Sequence, residues 1–475
     1  MVDRPPAPAG LRLRLADGVR VVEDDRVLVG GSPPRLIRLS EPGATRVAAW
    51  VAGDVVGSGR GEQRLARRLL DAGIVHPVPA PFRPAALAIV MPVRDEPGVE
   101  AAAAALADGY PLVIVDDGSE VPIPQQPEIE VLRRETAGGP GAARNEGFAH
   151  MVAAGAEFVA FVDADVDPPS GWIDALLGHF ADPNVAAVAP RVRPTVGTSS
   201  LERYEQTFPS LDLGSVPALV GPGRAVAYTP SAALVVRASA FEQIGGFDAG
   251  LRFGEDVDLI WRFGAAGYTV RYEPAVEVRH RARVDWRAWA RQRRQYGSSA
   301  PALAARHGDA VAPSRAPVGV YAAVAASVVT PIPVAVAVAA VEAAAADRRV
   351  AASLGEHHDR QLVRGGLGSA ARSTITALVR AWLPITAAVA ASGRRPRRRL
   401  AALIVGVVAI EVRSSPRSLG WFRTVLLRLV DHVAYGVGVW SGIVRVGRAG
   451  LGAVRPTVSR RGVRTDRATG DTVGT

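Results

Sequence analysis

The stretch Val159-Ala-Phe-Val-Asp163-Ala-Asp165-Val-Asp167-Pro-Pro169 constrains this chain more than any other. Its apolar part is too short for a buried helix, and the two prolines stop regular structure, so it reads as a buried strand ending in an acidic loop. Carboxylates at a strand's end lie where open α/β sheets place their ligands. Asp163 and Asp165 have the spacing to share one divalent cation, directly or through water. Mg2+ is commonly held this way, by one or two carboxylates plus substrate phosphates. Taken alone, the same residues also fit an acidic turn that binds nothing.

The pattern recurs upstream. Ala86-Leu-Ala-Ile-Val-Met91-Pro92-Val93 runs into Arg94-Asp95-Glu96, and Pro111-Leu-Val-Ile-Val115 runs into Asp116-Asp117-Gly118-Ser119. A helix is expected over 101–107, a third short strand over 128–132, and a helix from the glycine loop at 138–141 to about Gly155. Strand–helix alternation with continuous apolar strands predicts a doubly wound, mostly parallel sheet. Three of its strands end in Asp-bearing loops, and that convergence outweighs any single motif.

The glycine loop Gly138-Gly-Pro-Gly141-Ala-Ala-Arg144-Asn145 fits neither a dinucleotide fingerprint, because Arg144 stands at the third small position, nor a P-loop, because Gly-Lys-Ser/Thr is absent. Its backbone N–H groups and Arg144 suit a diphosphate, and a plain flexible turn is the alternative. Further on, a strand is expected over 230–237 and a short helix over 241–247. Phe253-Gly254-Glu255-Asp256-Val-Asp258 reads as a helix opening with acids, which ordinarily stabilise the helix dipole. An edge strand is expected over 268–273, followed by Val278-Arg-His280 and a basic stretch from Trp286 to Tyr296.

With 475 residues the chain exceeds one ordinary core, so two or three domains are expected. No cysteine is present, which excludes disulfides and thiolate metal sites. No basic-then-apolar leader opens the chain, so export is not expected. Residues 11–77 read as a small β-plus-helix unit: a hairpin over 18–30 around Glu23-Asp24-Asp25, a helix capped by Ser40, and a second helix ending at Gly73. It carries no acid/base pair, so binding or packing is its expected work, and a proline-rich linker over 76–84 follows it.

All 56 basic residues are Arg. From Glu342 onward, 22 Arg stand against 8 acids, while the rest of the chain carries 34 against 38. The basic character therefore belongs to the C-terminal region, whose apolar neighbours favour an anionic membrane surface over nucleic acid. Ala316 to Val341 carries no charge and has the length to span a bilayer. Pro331 and Pro333 interrupt it, so a packed helical hairpin fits as well. The apolar runs 400–410 and 429–444 read as interfacial, with Arg394 to Arg399 beside them facing an anionic leaflet. Residues from 456 are expected to be disordered.

In this order, the Met-Pro-Val-Arg-Asp-Glu, Val-Asp-Asp-Gly-Ser, Gly-Ala-Ala-Arg-Asn-x-Gly, Asp-Ala-Asp and Gly-Glu-Asp-x-Asp segments resemble the inverting family-2 glycosyltransferases of the GT-A fold. The resemblance covers about residues 86–297 and places the catalytic domain at 85–300. It implies a nucleotide-sugar donor, usually a UDP-sugar, and a divalent metal, Mg2+ or Mn2+. It also implies that Pro92, Arg94 and Glu96 flank the nucleoside and that Asp116 or Asp117 faces the uracil. Arg144 and Asn145 would lie at the base and diphosphate, and Asp163 and Asp165, with His280, at ribose and metal. Asp256 would be the catalytic base beside Glu255. Processive members carry Gln-x-x-Arg-Trp where this chain has Arg-Gln-Arg-Arg-Gln-Tyr296, which argues against long-chain polymerisation.

With Leu28-Val-Gly-Gly-Ser-Pro33 and Leu69-Leu-Asp-Ala-Gly-Ile-Val-His-Pro77 added, the layout is similar to the mycofactocin-system glycosyltransferases. Those enzymes add β-1,4-linked glucose to a peptide-derived redox cofactor. Their leading unit is similar to winged-helix peptide-recognition domains, and residues 316–455 would form a helical membrane-associated region on the cytoplasmic side. Two rival functions remain, a membrane polysaccharide synthase and a non-catalytic nucleotide-sugar-binding scaffold. The chemistry fits the residues independently: one in-line displacement at an anomeric carbon needs one carboxylate base. Glycoside hydrolysis by a carboxylate pair is the rival sugar chemistry, and it would need no nucleotide loop.

Overall fold

The computed structural model describes residues 4–22, 26–84, 86–106, 109–125, 129–354, 360–413, 419–459 and 464–467. These divide into two compact units, 1–195 with 209–281 and 465–475, and 196–208 with 282–464.

The first unit opens with β1 (Arg12–Leu15), β2 (Arg20–Val22), β3 (Val27–Gly30), β4 (Arg35–Arg38), α1 (Glu41–Val51), α2 (Arg60–Ala72) and β5 (Val75–Val78). β2 and β3 form the expected hairpin, with Val22 opposite Val27, and β4 extends it. The acidic turn at 23–25 lies outside the described residues. The Ser40 side chain accepts from Gly43 N at 3.3 Å and caps α1. Gly73 ends α2 at φ 67°, a left-handed backbone that a β-carbon would strain. Leu13, Leu28, Ile37, Trp50, Leu69 and Ile74 share one core.

The larger sheet follows from β6 (Leu87–Val93), α3 (Val99–Leu106), β7 (Leu112–Asp116), β8 (Glu130–Arg133), α4 (Pro140–Ala153), β9 (Phe158–Val162), β10 (Val166–Asp167), α5 (Trp172–Leu177) and β11 (Val185–Pro194). After α6 (Ser200–Thr207), a helix of the second unit, come β12 (Ala218–Val220), β13 (Ala233–Arg237), α7 (Ala238–Gln243), α8 (Glu255–Ala265) and β14 (Thr269–His280). The nine strands run in the order β10-β14-β11-β13-β9-β6-β7-β8, with β12 also on β14.

The half that the apolar runs announced, β8-β7-β6-β9, is parallel. The other half is mixed: β13 is antiparallel to both β9 and β11, while β11 and β14 run parallel. The sheet is therefore α/β and mixed, rather than doubly wound throughout. Nor is the strand expected over 268–273 an edge: it continues to His280 and has β11 on one side and β10 and β12 on the other. Residues 87–93, 112–116 and 158–162 are buried almost without interruption, as strands covered on both faces must be.

The second unit is helical. Besides α6 it contains α9 (Trp286–His307), α10 (Val318–Val329), α11 (Ile332–Leu354), α12 (Arg360–Arg380), α13 (Leu383–Ala391), α14 (Arg394–Arg413) and α15 (Trp421–Val446). The uncharged stretch from Ala316 breaks at Thr330-Pro331, and α10 and α11 pack as a hairpin. No single described helix is long and apolar enough to cross a membrane; only the bent pair Val363–Arg380 and Leu383–Ala391 passes that test jointly. Arg293, from the basic stretch, is buried and pairs with Glu205 and Asp431. Part of the expected disordered tail is regular: Thr457–Val458 pairs in parallel with Arg315–Ala316.

Candidate active site

Parallel pairing brings the carboxyl ends of β7, β6 and β9 to one edge of the sheet, with Val93 directly opposite Asp116. The loop after β6 is locked to the loop after β7. Asp95 N donates to Ser119 Oγ (3.0 Å), Glu120 N to Asp95 Oδ1 (2.7 Å), and Asp117 N to Val93 O (2.8 Å). Asp95 takes φ 52°, the one positive φ among the described non-glycine residues. Such a backbone persists only where the surroundings over-determine it, as these bonds do.

Asp116 and Asp117 divide the work of this loop. Asp116 is fully buried and accepts from Ser119 N (2.8 Å), Ile123 N (3.2 Å) and Arg133. Burial alone would raise its pKa, but these bonds hold it below the usual carboxylate range. Asp117 accepts from Gly138 N (2.8 Å), Gly139 N (2.7 Å) and Arg134 Nε (2.8 Å). The glycine-loop N–H groups at 138 and 139, expected to face a diphosphate, are thus spent on Asp117.

Arg144 stands at the centre. α4 carries it into the interior, where Nη2 donates to Asp163 Oδ1 (2.5 Å), Nη1 to Glu255 Oε1 (3.2 Å), and the guanidinium lies 5.4 Å from the Phe247 ring. Gly141, one turn earlier on α4, leaves room for Glu255: a β-carbon there would sit 3.4 Å from Glu255 Cγ. Asn145 clamps the Phe247 backbone through Nδ2 to O (2.7 Å) and from N to Oδ1 (2.9 Å). Both ends of its amide are used, so Asn145 shapes the loop leading to α8.

That loop ends at Gly254, φ 79°, and α8 begins with Glu255 and Asp256. Burial raises Glu255 to about 7, the adjacent Asp256 adds to the rise, and Arg144 opposes it. Asp256 is also raised, first by burial, although Val257 N donates to its Oδ1 at 2.7 Å. Asp163 is raised by burial and by Asp165, against the pull of Arg144. The third acid of the helix start, Asp258, is buried on Arg262 (2.7 Å), whose other nitrogens hold Ile244 O and Gly246 O. It supports the loop rather than facing a substrate.

Asp165 Oδ2 lies 3.4 Å from His280 Nε2, because β10 and β14 pair Val166 with His280. Asp163, Asp165 and His280 do not converge as a three-ligand set, and no group of three such side chains does so among the described residues. Arg144 engages the Asp163 carboxylate.

The profile of "Glycosyl transferase family 2" matches residues 88–245. The pre-mycofactocin glycosyltransferase of Mycobacterium tuberculosis is 37% identical over 479 aligned residues, covering 95% of this chain and 98% of the relative. The chain belongs to glycosyl transferase family 2. An N-acetylglucosaminyl-diphospho-decaprenol L-rhamnosyltransferase of the same organism is 31% identical over 203 residues, covering 36% of this chain and 66% of that one. Among solved structures, a mannosyltransferase from Pyrobaculum calidifontis in complex with GDP-Man and Mn2+ is 16% identical, with a TM-score of 0.44 over 77% of this chain and 89% of that one.

The glycosyltransferase thus gathers Arg144, Asp163, Glu255 and Asp256 from three separate elements, with Asp165 and His280 alongside. Pro92 and Arg94 lie at the end of β6, where Arg94 is exposed beside Asp95. Glu96 is held by Arg281 (3.0 Å), which also donates to Ala164 O (2.8 Å). Sequence reasoning missed Arg281; its place one residue after His280 was the signal available.

Proposed function

We propose that this glycosyltransferase moves glucose from UDP-glucose to a peptide-derived acceptor, a mycofactocin precursor, with inversion, and builds short β-1,4-linked chains. The acceptor is suggested by the relative that aligns with nearly the whole chain. The observation that carries the reading is the meeting of Asp163 with Glu255 and Asp256 around the single guanidinium of Arg144. A strand end and a helix start, 92 residues apart in the chain, supply a donor side and an acid/base side to one edge of a mixed α/β sheet, in keeping with a GT-A fold.

Asp256 accepts the proton of the acceptor hydroxyl as its oxygen bonds to the anomeric carbon and the bond to the diphosphate breaks; UDP leaves with that electron pair. The raised pKa of Asp256 makes it a stronger base than an exposed carboxylate once ionised. Glu255, held by Arg144, keeps the Asp256 side of the helix start in place. Arg94, Glu96 and the strained Asp95 loop form the rim for the nucleoside.

Asp165 and His280 would hold Mn2+ or Mg2+, with oxygens of the donor diphosphate completing the shell. Such an ion supplies charge neutralisation at the departing diphosphate. The helical unit is proposed to rest on the cytoplasmic face of the membrane. On α15, Phe422, Leu426, Val430, Val433, Val437 and Val444 are exposed at helical spacing along one face.

Purified protein incubated with UDP-glucose and the peptide-derived acceptor, read by mass spectrometry, tests the reading. Addition of one or a few hexoses is expected. UDP binding without transfer to any acceptor would instead make it a scaffold, and long polymeric products would make it a polysaccharide synthase.

A further inference from the structure

At the start of β14, far from the acid cluster, buried N–H donors outnumber the groups that accept from them. Asp182 Oδ1 accepts from Arg67 Nη2 of α2 (2.8 Å) and from Asn184 N (3.0 Å). The Asn184 carbonyl in turn accepts from Thr269 N (2.9 Å), which sets it two residues from Arg271 on β14. Two residues beyond Arg271, Glu273 pairs with His179 Nε2 at 3.1 Å. Within this cluster Arg67 Nη1, Asn184 Nδ2, His179 Nδ1 and Arg271 Nε have no hydrogen-bond partner. All four residues are 5% exposed or less. His179 Nε2 donates to Glu273, so its Nδ1 is a bare acceptor and the orphaned donors are three, on Arg67, Asn184 and Arg271; at such depth each is costly.

Charge points the same way. Arg271 pairs with no carboxylate among the described residues; its Nη1 meets His76 Nδ1 at 3.5 Å. Arg224 donates to the carbonyls of Ser32 (2.6 Å) and Asp71 (3.0 Å). Burial lowers Arg271 to about 10, and Arg67 and Arg224 add repulsion against the pull of Asp182 and Asp71. Burial likewise lowers Arg224 to about 10, with Arg4 and Arg35 repelling it. His76 is lowered to about 3, first by burial and then by Arg271, so it adds no charge of its own. Arg4 and Arg67 pair with Asp71 and Asp182, and Glu273 faces His179, while the guanidiniums of Arg224 and Arg271 pair with no carboxylate among the described residues. Water could accept from the orphaned donors but would leave this charge uncompensated, whereas an anion satisfies both needs.

We propose that Arg67, Asn184 and Arg271 bind a small oxyanion, inorganic phosphate or a carboxylate, at the seam where α2 and β5 meet the large sheet. His280 lies nine residues further along β14, roughly 30 Å at the rise of a strand, so the site is separate from the one that handles the sugar donor. Its occupant fastens the N-terminal β-plus-helix part to the catalytic sheet. This holds whatever sugar is transferred.

The test is thermal unfolding of the full chain at constant ionic strength, titrated with phosphate in one arm and acetate in the other. A rise in Tm of about 2–5 °C that saturates is expected in at least one arm, and the arm names the occupant. Stabilisation by simple exclusion of an ion from the surface rises without saturating. Arg271→Met should abolish the saturable rise and, with no anion added, should melt no lower than the parent chain, because a buried uncompensated charge is gone. A saturable rise that persists in Arg271→Met, or no saturable rise in either arm, as expected if water alone fills the site, would overturn the proposal. Should Arg271→Met fail to fold, Asn184→Ala must raise the apparent Kd at least threefold; an unchanged Kd would overturn it equally.

Discussion

Arg144 Nη2 lies 2.5 Å from Asp163 Oδ1, so the first acid of the Asp-Ala-Asp loop is tied from within the protein to the helix that follows the glycine loop. The same guanidinium reaches Glu255, and through it the start of α8. Two stretches that look like separate donor and acid/base motifs are one electrostatic assembly. Its single buried cation has burial against it and the surrounding carboxylates holding its charge.

Removing that cation should hurt catalysis more than binding. Arg144→Met is expected to lower kcat by roughly 100-fold or more, the scale seen when one preorganised charge is lost from an active site. Arg144→Lys should recover only part, since a point charge cannot bridge two carboxylates as a planar fork does. Steady-state kinetics on folded variants, checked by circular dichroism, would decide it. A wild-type kcat in Arg144→Met would show that the bridge is merely structural.

Glu255 gives a pH signature in stability. Its folded pKa of about 7 lies above the ordinary carboxylate value of 4.5, so the native state holds more protons between those values. Stability from this group is therefore present below about pH 4.5 and lost as pH rises towards 7. Glu255→Gln should melt higher than the parent chain at pH 8, and the gap should close near pH 4. A gap that is constant with pH would mean that Glu255 titrates normally.

Chelation tests the cation. Dialysis against EDTA should abolish transfer, and Mn2+ should restore it. Asp165→Asn should lose transfer while keeping its Tm, because that carboxylate is partly exposed beside His280. Turnover of UDP-glucose by Asp165→Asn at the parental rate would remove Asp165 from the metal set.

Gly147 offers a purely structural prediction. A β-carbon there would lie 2.5 Å from Val90 Cγ1 and 2.8 Å from Val115 Cγ2, between α4 and the two central strands. Gly147→Ala should cost about 1–3 kcal/mol in urea unfolding through overpacking, despite the better helix propensity of alanine. A stabilised variant would mean that the strands yield.

Fractionation tests the membrane proposal. The full chain should sediment with membranes at low salt. Release by high salt would indicate Arg-mediated surface binding, and release only by detergent would indicate burial of the exposed α15 face. Recovery in the soluble fraction at low salt would count against membrane association.

Much of the site was legible because its signals are local. Asp163-Ala-Asp165 and Glu255-Asp256 each announce themselves within a few residues, by charge placed after an apolar run or at a helix start. Gly73 and Ser40 were readable as caps for the same reason: the backbone conformation they serve involves only their neighbours. Less legible was the partner of each group. No local signal announces that the Asp117 oxygens accept from Gly138 and Gly139, or that the Asn145 amide clamps Phe247.

The sequence by itself determined the strands β6, β7, β8, β9 and β13, the acidic ends of three of them, the glycine breaks and the family, but not β11 or β12, since only strongly apolar runs and short motifs are written along the chain. Only the tertiary structure decided that β13 runs antiparallel, that β14 lies inside the sheet, and that Arg144 joins Asp163 to Glu255. It also decided that Arg67 of the N-terminal part is buried on Asp182, 115 residues away. The physical reason is that strand direction and long-range ion pairing depend on which surfaces meet once the core closes. A charged residue carries the same label whether water, a substrate or another side chain will neutralise it.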